Sequence, residues 1–211
     1  MSATTRYAAM SRRAAMTAAA LTAMVALAGC NSGGAGTAAD GDMALGAPEG
    51  AKVTVVEYAS VACHACAGWN DQVWPEFKAK YVDTNKVRYV FREMITGNPD
   101  VATTGFLLAR CAGEDHYFDV VHGILESQEE WATGVSPRTS LLRIANSVGL
   151  NEQEFMECAT DEAALAALAD RNSAAASRGV TGTPTFYVND KKITDHSLSG
   201  LSEAIDAALA E

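Results

Sequence analysis

The 211-residue sequence has no excess of positive charge. Its 16 lysines and arginines stand against 26 aspartates and glutamates, a net charge of −10 at pH 7. So acidic a chain offers no basic stripe for a nucleic-acid backbone and gains nothing electrostatically from anionic lipid. No apolar run reaches the ~20 residues that a comfortable membrane-spanning helix needs. No segment repeats. Cysteine occurs only five times, with a single C-x-x-C, Cys63-His64-Ala65-Cys66. Ala67 follows that pair where covalent haem attachment requires histidine. A second C-x-x-C that would complete a zinc site is missing, since Cys111 and Cys158 are isolated. No metal and no external cofactor are expected.

What is present begins with an export signature. Arg6, Arg12 and Arg13 form a positive start without acids, and Ala14 to Ala28 is a run of small and apolar residues. It ends in Leu27-Ala28-Gly29-Cys30, which resembles the lipobox of bacterial lipoproteins, with Cys30 as the lipidated first residue of the mature chain. An ordinary signal peptide is the alternative. Ser11-Arg12-Arg13 is a weak twin-arginine pattern without the usual apolar residues behind it, so the general secretory route is expected. Removing residues 1–29 takes away three arginines and no acid, which moves the net charge to −13. Residues 30–42 are rich in Gly, Ala, Ser and Thr and read as a flexible tether. Residues 43–211 read as one domain.

Within that domain, Met43 to Gly46 is a candidate entry strand and Lys52 to Tyr58 a β-branched and aromatic strand. A helix from about Cys63 to Tyr81 follows, with a kink expected before Pro75. Val87 to Arg92 is the next strand, so the span forms a βαβ unit. A helical insertion is expected at about 98–159. Its start signals are Asn98-Pro99, Ser136-Pro137 and the Asn151/Glu154 capping box. A long Ala-rich helix covers about Asp161 to Arg178. Thr185–Val188 and Lys191–Ile193 flank Asn189-Asp190 as a hairpin, and a last helix runs from about Ser199 to Ala210. The fold class is α/β: a mixed four- to five-stranded sheet with helices on its faces and an inserted helical subdomain.

Cys63 falls at a helix N-terminus and Cys66 one turn in. The helix dipole and unpaired N–H groups favour a thiolate there, and the thiolate is the nucleophile of disulfide exchange. A bridge closing only two residues constrains the unfolded chain little, so a redox dithiol is the stronger reading than a structural bridge. Gly182-Thr183-Pro184-Thr185-Phe186 places a proline directly before a strand, a candidate cis peptide. Beside the dithiol it would offer an open backbone edge to an extended substrate.

Glu57-Tyr58-Ala59-Ser60, then Cys63-x-x-Cys66, a helical insertion, and Gly182-Thr183-Pro184-Thr185-Phe186 before a hairpin stand in the order found in thioredoxin-like thiol:disulfide interchange proteins. The chain resembles the DsbA-like branch over about residues 42–211. The resemblance implies that Cys63 is the nucleophile, Cys66 the resolving cysteine and Pro184 a cis-proline facing them, with Thr183 and Pro184 binding substrate. It also matches Glu57 to the family's buried acid, a proton relay for Cys66; from the residues alone a solvated strand-end carboxylate serves equally well. DsbA-type oxidases carry Pro-His between the cysteines. Here the pair is His64-Ala65, so the histidine sits one position early and the direction of electron flow stays open.

The implied function is an exported oxidoreductase that oxidises cysteine pairs in reduced or unfolded extracytoplasmic proteins. It would be reoxidised by a quinone-linked membrane protein and held on the periplasmic side of a membrane by lipid, or else be soluble in the periplasm, and a monomer is expected. A reductase or isomerase of the same fold, and a non-catalytic thioredoxin-like binding module, are the alternatives. Cys111 and Cys158 remain as a candidate structural disulfide. The closure of 47 positions would stabilise by roughly 4 kcal/mol in the chain-entropy view; two buried free thiols are the alternative. His116, His122 and His196 read as surface or capping residues, Trp69 and Trp74 as core or groove-lining, and Glu126, Glu129 and Glu130 as a solvated helix face.

Overall fold

The computed structural model describes residue 39 and residues 41–211. The signal segment, Cys30 and nearly all of the tether lie outside the described residues. The strand β2 (Thr54–Ala59) forms the middle of a five-stranded sheet. Its neighbours are β3 (Arg88–Glu93), parallel, and β4 (Thr185–Val188), antiparallel. β1 (Met43–Gly46) closes one side against β3 and β5 (Lys191–Ile193) the other against β4, both antiparallel. A strand covered on both faces reads as a near-continuous apolar run. Accordingly Val55 and Ala59 enter one buried cluster while Val56 and Tyr58 enter another. By strand alternation Glu57 faces the same side as Val55 and Ala59, the side of the dithiol.

The expected Cys63–Tyr81 helix is divided. α1 (His64–Gln72) ends at Val73, whose φ of −118° is stretched from the ideal helical value while its ψ of −41° stays helical, and α2 (Trp74–Phe77) resumes with Pro75 in its first turn. Pro75 has no N–H to offer the preceding turn. The path finishes in a widened π-type turn, Lys78–Val82. Cys63 itself caps α1 rather than belonging to it.

The helices after β3 are α3 (Pro99–Cys111), α4 (Glu114–Ala132), α5 (Pro137–Ser147), α6 (Glu152–Ala159) and α7 (Glu162–Ser177). Asn98, Ser136, Asn151 and Asp161 cap α3, α5, α6 and α7 through their side-chain oxygens, each such cap being worth ~1 kcal/mol. The final helix, α8 (Leu198–Ala210), is capped by Ser197 and so starts one residue earlier than expected. α4 packs on α1, and α3 lies close enough to the active-site loop that a Cβ on Gly105 would meet Val61 Cγ2 at 2.8 Å. Cys111 and Cys158 are joined as a disulfide, Cα–Cα 5.9 Å, tying the end of α3 to α6.

The insertion is also anchored by charge. Glu93, 1% exposed at the end of β3, accepts from Arg110 Nε of α3 at 2.6 Å, from Tyr117 Oη of α4 at 3.0 Å and from Arg171 Nε of α7. A carboxylate so deep is tolerable only with its lone pairs taken. Beside it Arg92 grips Asp42 with two nitrogens, at 2.9 and 2.8 Å, and donates to Tyr58 Oη at 2.9 Å. Among the described residues no helix is long and apolar enough to cross a membrane.

Candidate active site

The two cysteines are free thiols with unlike surroundings. Cys63 is 8% exposed at the start of α1, and Cys66 is fully buried one turn inside. As the N-cap, Cys63 Sγ accepts the Cys66 N–H at 3.2 Å. The Cys66 thiol, donating to Cys63, does most to lower the Cys63 pKa; burial opposes this, and the Thr183 hydroxyl and the N–H groups of Cys66 and Ala65 add to the lowering. The result is a Cys63 thiol brought down to about 6, a thiolate at neutral pH. Cys66 is driven the other way, above the ordinary thiol range, first by burial, then by its role as donor to Cys63, and by the charge of Glu57 once that acid has lost its proton. One sulfur is built to carry charge and the other to keep its proton.

Across the dithiol, the Thr183–Pro184 bond is cis. The Cys63 thiol donates to the Thr183 carbonyl at 3.4 Å. Thr183, Pro184, Cys63 and Cys66 thus come together although some 120 positions separate the two stretches.

Glu57 is 2% exposed and near enough to both cysteines for its charge to couple with theirs. Of the two sequence readings, the solvated carboxylate is excluded. Burial raises its pKa to about 8; the hydrogen bond donated by Tyr89 Oη lowers it, and the Cys63 charge adds to the rise. Glu57 therefore holds a proton through most of the neutral range. His64 is exposed, and among the described residues its side chain has no hydrogen bond.

Four contributors have no role that the sequence assigns. Tyr89 on β3 holds Glu57. Gln128 on α4 donates through Nε2 to the Val61 carbonyl at 2.8 Å and the Cys63 carbonyl at 3.3 Å, tying the insertion to the cysteine loop. Ser60 donates to the Thr96 carbonyl at 2.9 Å, and Thr96 contacts Thr183 through its hydroxyl at 2.6 Å. No local pattern marks a glutamine in mid-helix or a threonine in a loop as reaching so far; only the Gly97-Asn98-Pro99 turn signal nearby hints at a shaped loop.

The histidines need one correction. His116 is exposed and pairs with Asp119, and His196 is exposed with its carbonyl accepting from Trp69 Nε1 at 2.8 Å. His122, however, is not a surface residue. Its ring stacks on Trp74 at 4.6 Å and its Nδ1 meets Asn70 Oδ1, while Nε2 is buried with no hydrogen-bond partner among the described residues. Burial lowers its pKa to about 4. The packing of α4 on α1 overrides the polar character that suggested an outward position. Trp69 and Trp74 are both core residues. Among the described residues no group of three or more His, Cys, Asp or Glu is placed to hold a metal.

Five strands in this order, inserted helices, and a dithiol of divided acidity facing a cis-proline define a redox-type dithiol protein of thioredoxin-like fold. A family model described as thioredoxin matches residues 38–207, and the chain belongs to that family, in its DsbA-like branch. A Rickettsia conorii protein provisionally named protein-disulfide oxidoreductase is 37% identical over 174 residues, covering 82% of this chain and 62% of the relative. The Bacillus subtilis disulfide bond formation protein D is 27% identical over 156 residues, 68% of this chain and 66% of that protein. The crystal structure of Wolbachia pipientis alpha-DsbA1 is similar with a TM-score of 0.72 and 26% identity, over 82% of this chain and 94% of that one. The chain spans about 62% of the length of the Rickettsia relative.

Proposed function

We propose that this protein is an exported thiol:disulfide oxidoreductase that oxidises cysteine pairs in extracytoplasmic proteins through Cys63 and Cys66. The observation that carries the reading is the divided acidity of the dithiol, with Cys63 at about 6 and Cys66 far above it. In the disulfide form, a substrate thiolate attacks Cys63 Sγ. The Cys63–Cys66 bond breaks, a Cys63–substrate disulfide forms, and Cys66 leaves with the electron pair. Cys66 needs a proton as it leaves, and protonated Glu57 nearby is the donor. A second substrate thiolate then attacks the substrate sulfur and expels Cys63, a good leaving group because its thiolate is stable. Two substrate thiols are oxidised to one disulfide and the protein ends as the dithiol. A thiolate-stabilising site favours that dithiol, which makes the disulfide form oxidising. The Thr183–Pro184 edge supplies the backbone against which an extended substrate docks.

The leader at residues 1–29, with Cys30 as lipid anchor point, supports a place on the periplasmic side of a bacterial membrane. Disulfides are stable in such a compartment, and the Cys111–Cys158 bridge is consistent with it. A quinone-linked membrane protein as reoxidant, and reduced unfolded proteins as substrates, extend the same reading. The test mixes stoichiometric disulfide-form protein with reduced ribonuclease, and separately offers the dithiol form to insulin with a thiol reductant. Recovery of ribonuclease activity with slow insulin reduction is expected. Rapid insulin precipitation with no ribonuclease recovery would turn the assignment to a reductase, and inactivity in both to a binding module.

A further inference from the structure

Thr96 lies between β3 and α3, and its loop is fixed from three directions. Asn172 of α7 accepts the Ile95 N–H at 2.8 Å. Gly97, at φ +76°, approaches the cysteine loop so closely that a Cβ there would fall 2.1 Å from the Ala62 carbonyl oxygen. The Thr96 carbonyl accepts from the buried Ser60 hydroxyl at 2.9 Å, and Ser60 Oγ accepts the Ala62 N–H at 3.3 Å. With the backbone held in this way, Thr96 Oγ1 is left 2.6 Å from Thr183 Oγ1. Thr183 is the residue whose carbonyl takes the Cys63 thiol proton and whose hydroxyl helps to lower that thiol.

A contact between two hydroxyls uses one proton and leaves the other free. With Thr96 as donor, the Thr183 proton is available to Cys63 when that sulfur becomes a thiolate, and a hydroxyl that accepts one hydrogen bond is the stronger donor of the next. We infer that Thr96 is a positioning residue for the exchange reaction: its hydroxyl holds the Thr183 side chain in the orientation that donates to the Cys63 sulfur, and so sets how far the site favours the dithiol. The inference rests on the reading of Cys63 as the exchanging nucleophile. The other titratable groups around that sulfur are Cys66 of α1, Glu57 of β2 and the neighbouring His64. From α4, Gln128 reaches backbone carbonyls and carries no charge. Thr96→Val therefore removes the hydroxyl with almost no change in volume and none in charge.

The experiment follows the ultraviolet thiolate absorbance of Cys63 against pH in the wild type, Thr96→Val, Thr96→Ser, Thr183→Val and the Thr96/Thr183 double valine variant. One neutral hydrogen bond is worth ~0.5–1.5 kcal/mol, so Thr96→Val is expected to raise the midpoint by about 0.5 to 1 pH. Thr96→Ser should restore it, and Thr96→Val should add nothing when Thr183 is already valine. The glutathione equilibrium of Thr96→Val should move roughly three- to tenfold toward the disulfide. An unchanged midpoint, an equal shift in the Thr183→Val background, or failure of serine to rescue would overturn the inference. A wild-type Cys63 midpoint in the ordinary thiol range would instead overturn the underlying assignment of the nucleophile.

Discussion

Cys63→Ala is expected to abolish thiol–disulfide exchange, whereas Cys66→Ala is expected to keep a disulfide-containing substrate covalently bound through Cys63. The asymmetry follows from the geometry. Cys63 is the sulfur at the helix start, faced by the Thr183–Pro184 edge, and its thiolate is stable at neutral pH. Cys66 is fully buried and out of a protein substrate's reach. Without Cys63 no mixed disulfide can form, and ribonuclease reoxidation should fall about 10³-fold or more, to the rate of unassisted thiols. Without Cys66 no active-site disulfide can form, so the variant has no oxidant for reduced substrate. Offered a substrate disulfide such as insulin's, its Cys63 thiolate should attack, expel one substrate thiolate and leave a mixed disulfide with no internal thiol to resolve it. That species should persist on non-reducing gels. Equal activity of Cys63→Ala and wild type, or trapping by Cys63→Ala instead of Cys66→Ala, would contradict the assignment.

Glu57→Gln is expected to make the dithiol protein more stable at pH 8 and slower to react. The folded protein holds the Glu57 proton up to about pH 8, against an ordinary carboxyl value of 4.5. Between those two values the folded state binds the extra proton, so the stability of the wild type falls as pH rises from 4.5 to 8. Over that interval the loss amounts to about 4 kcal/mol. Glutamine keeps an acceptor for Tyr89 and has no proton to lose, so its unfolding free energy lacks this slope. Urea titrations of both reduced proteins at pH 4.5, 6 and 8 should show the curves diverging upward through that range. Parallel curves would show that Glu57 is not a buried protonated acid. The same substitution deprives Cys66 of its proton donor, and attack on the disulfide form should slow by about tenfold or more near pH 7.

Much of this architecture was legible because local and global signals agree. β2 announces itself by β-branched residues, the insertion by Asn98-Pro99, Ser136-Pro137 and Asn151/Glu154, and the dithiol by its spacing and place at a helix start. The kink before Pro75 follows from the missing N–H. What could not be read depends on pairs distant in sequence. Glu57 becomes a protonated acid only because Tyr89 and the helix layer enclose it. His122 turns inward because Trp74 and Asn70 receive it, and no single-sequence pattern distinguishes it from the exposed His116. The Glu93 cluster with Arg110, Arg171 and Tyr117 arises from three separate helices converging on one strand end. Thr96 and Gln128 act at the site through hydrogen bonds spanning 36 to 87 positions.

His64-Ala65 in place of Pro-His between the cysteines leaves the direction of electron flow open in the sequence. The groups that touch the Cys63 sulfur directly are the Cys66 thiol and N–H, and Thr183. A Cys63 pKa of about 6 lies between those of thioredoxin at ~7 and DsbA at ~3.5. The reduction potential of the Cys63–Cys66 pair, measured by equilibration with glutathione, tests this most directly. The account predicts a value above thioredoxin's ~−270 mV and below DsbA's ~−120 mV, oxidising toward most substrate thiols. A potential at or below ~−270 mV would contradict an oxidase and make the protein a reductant.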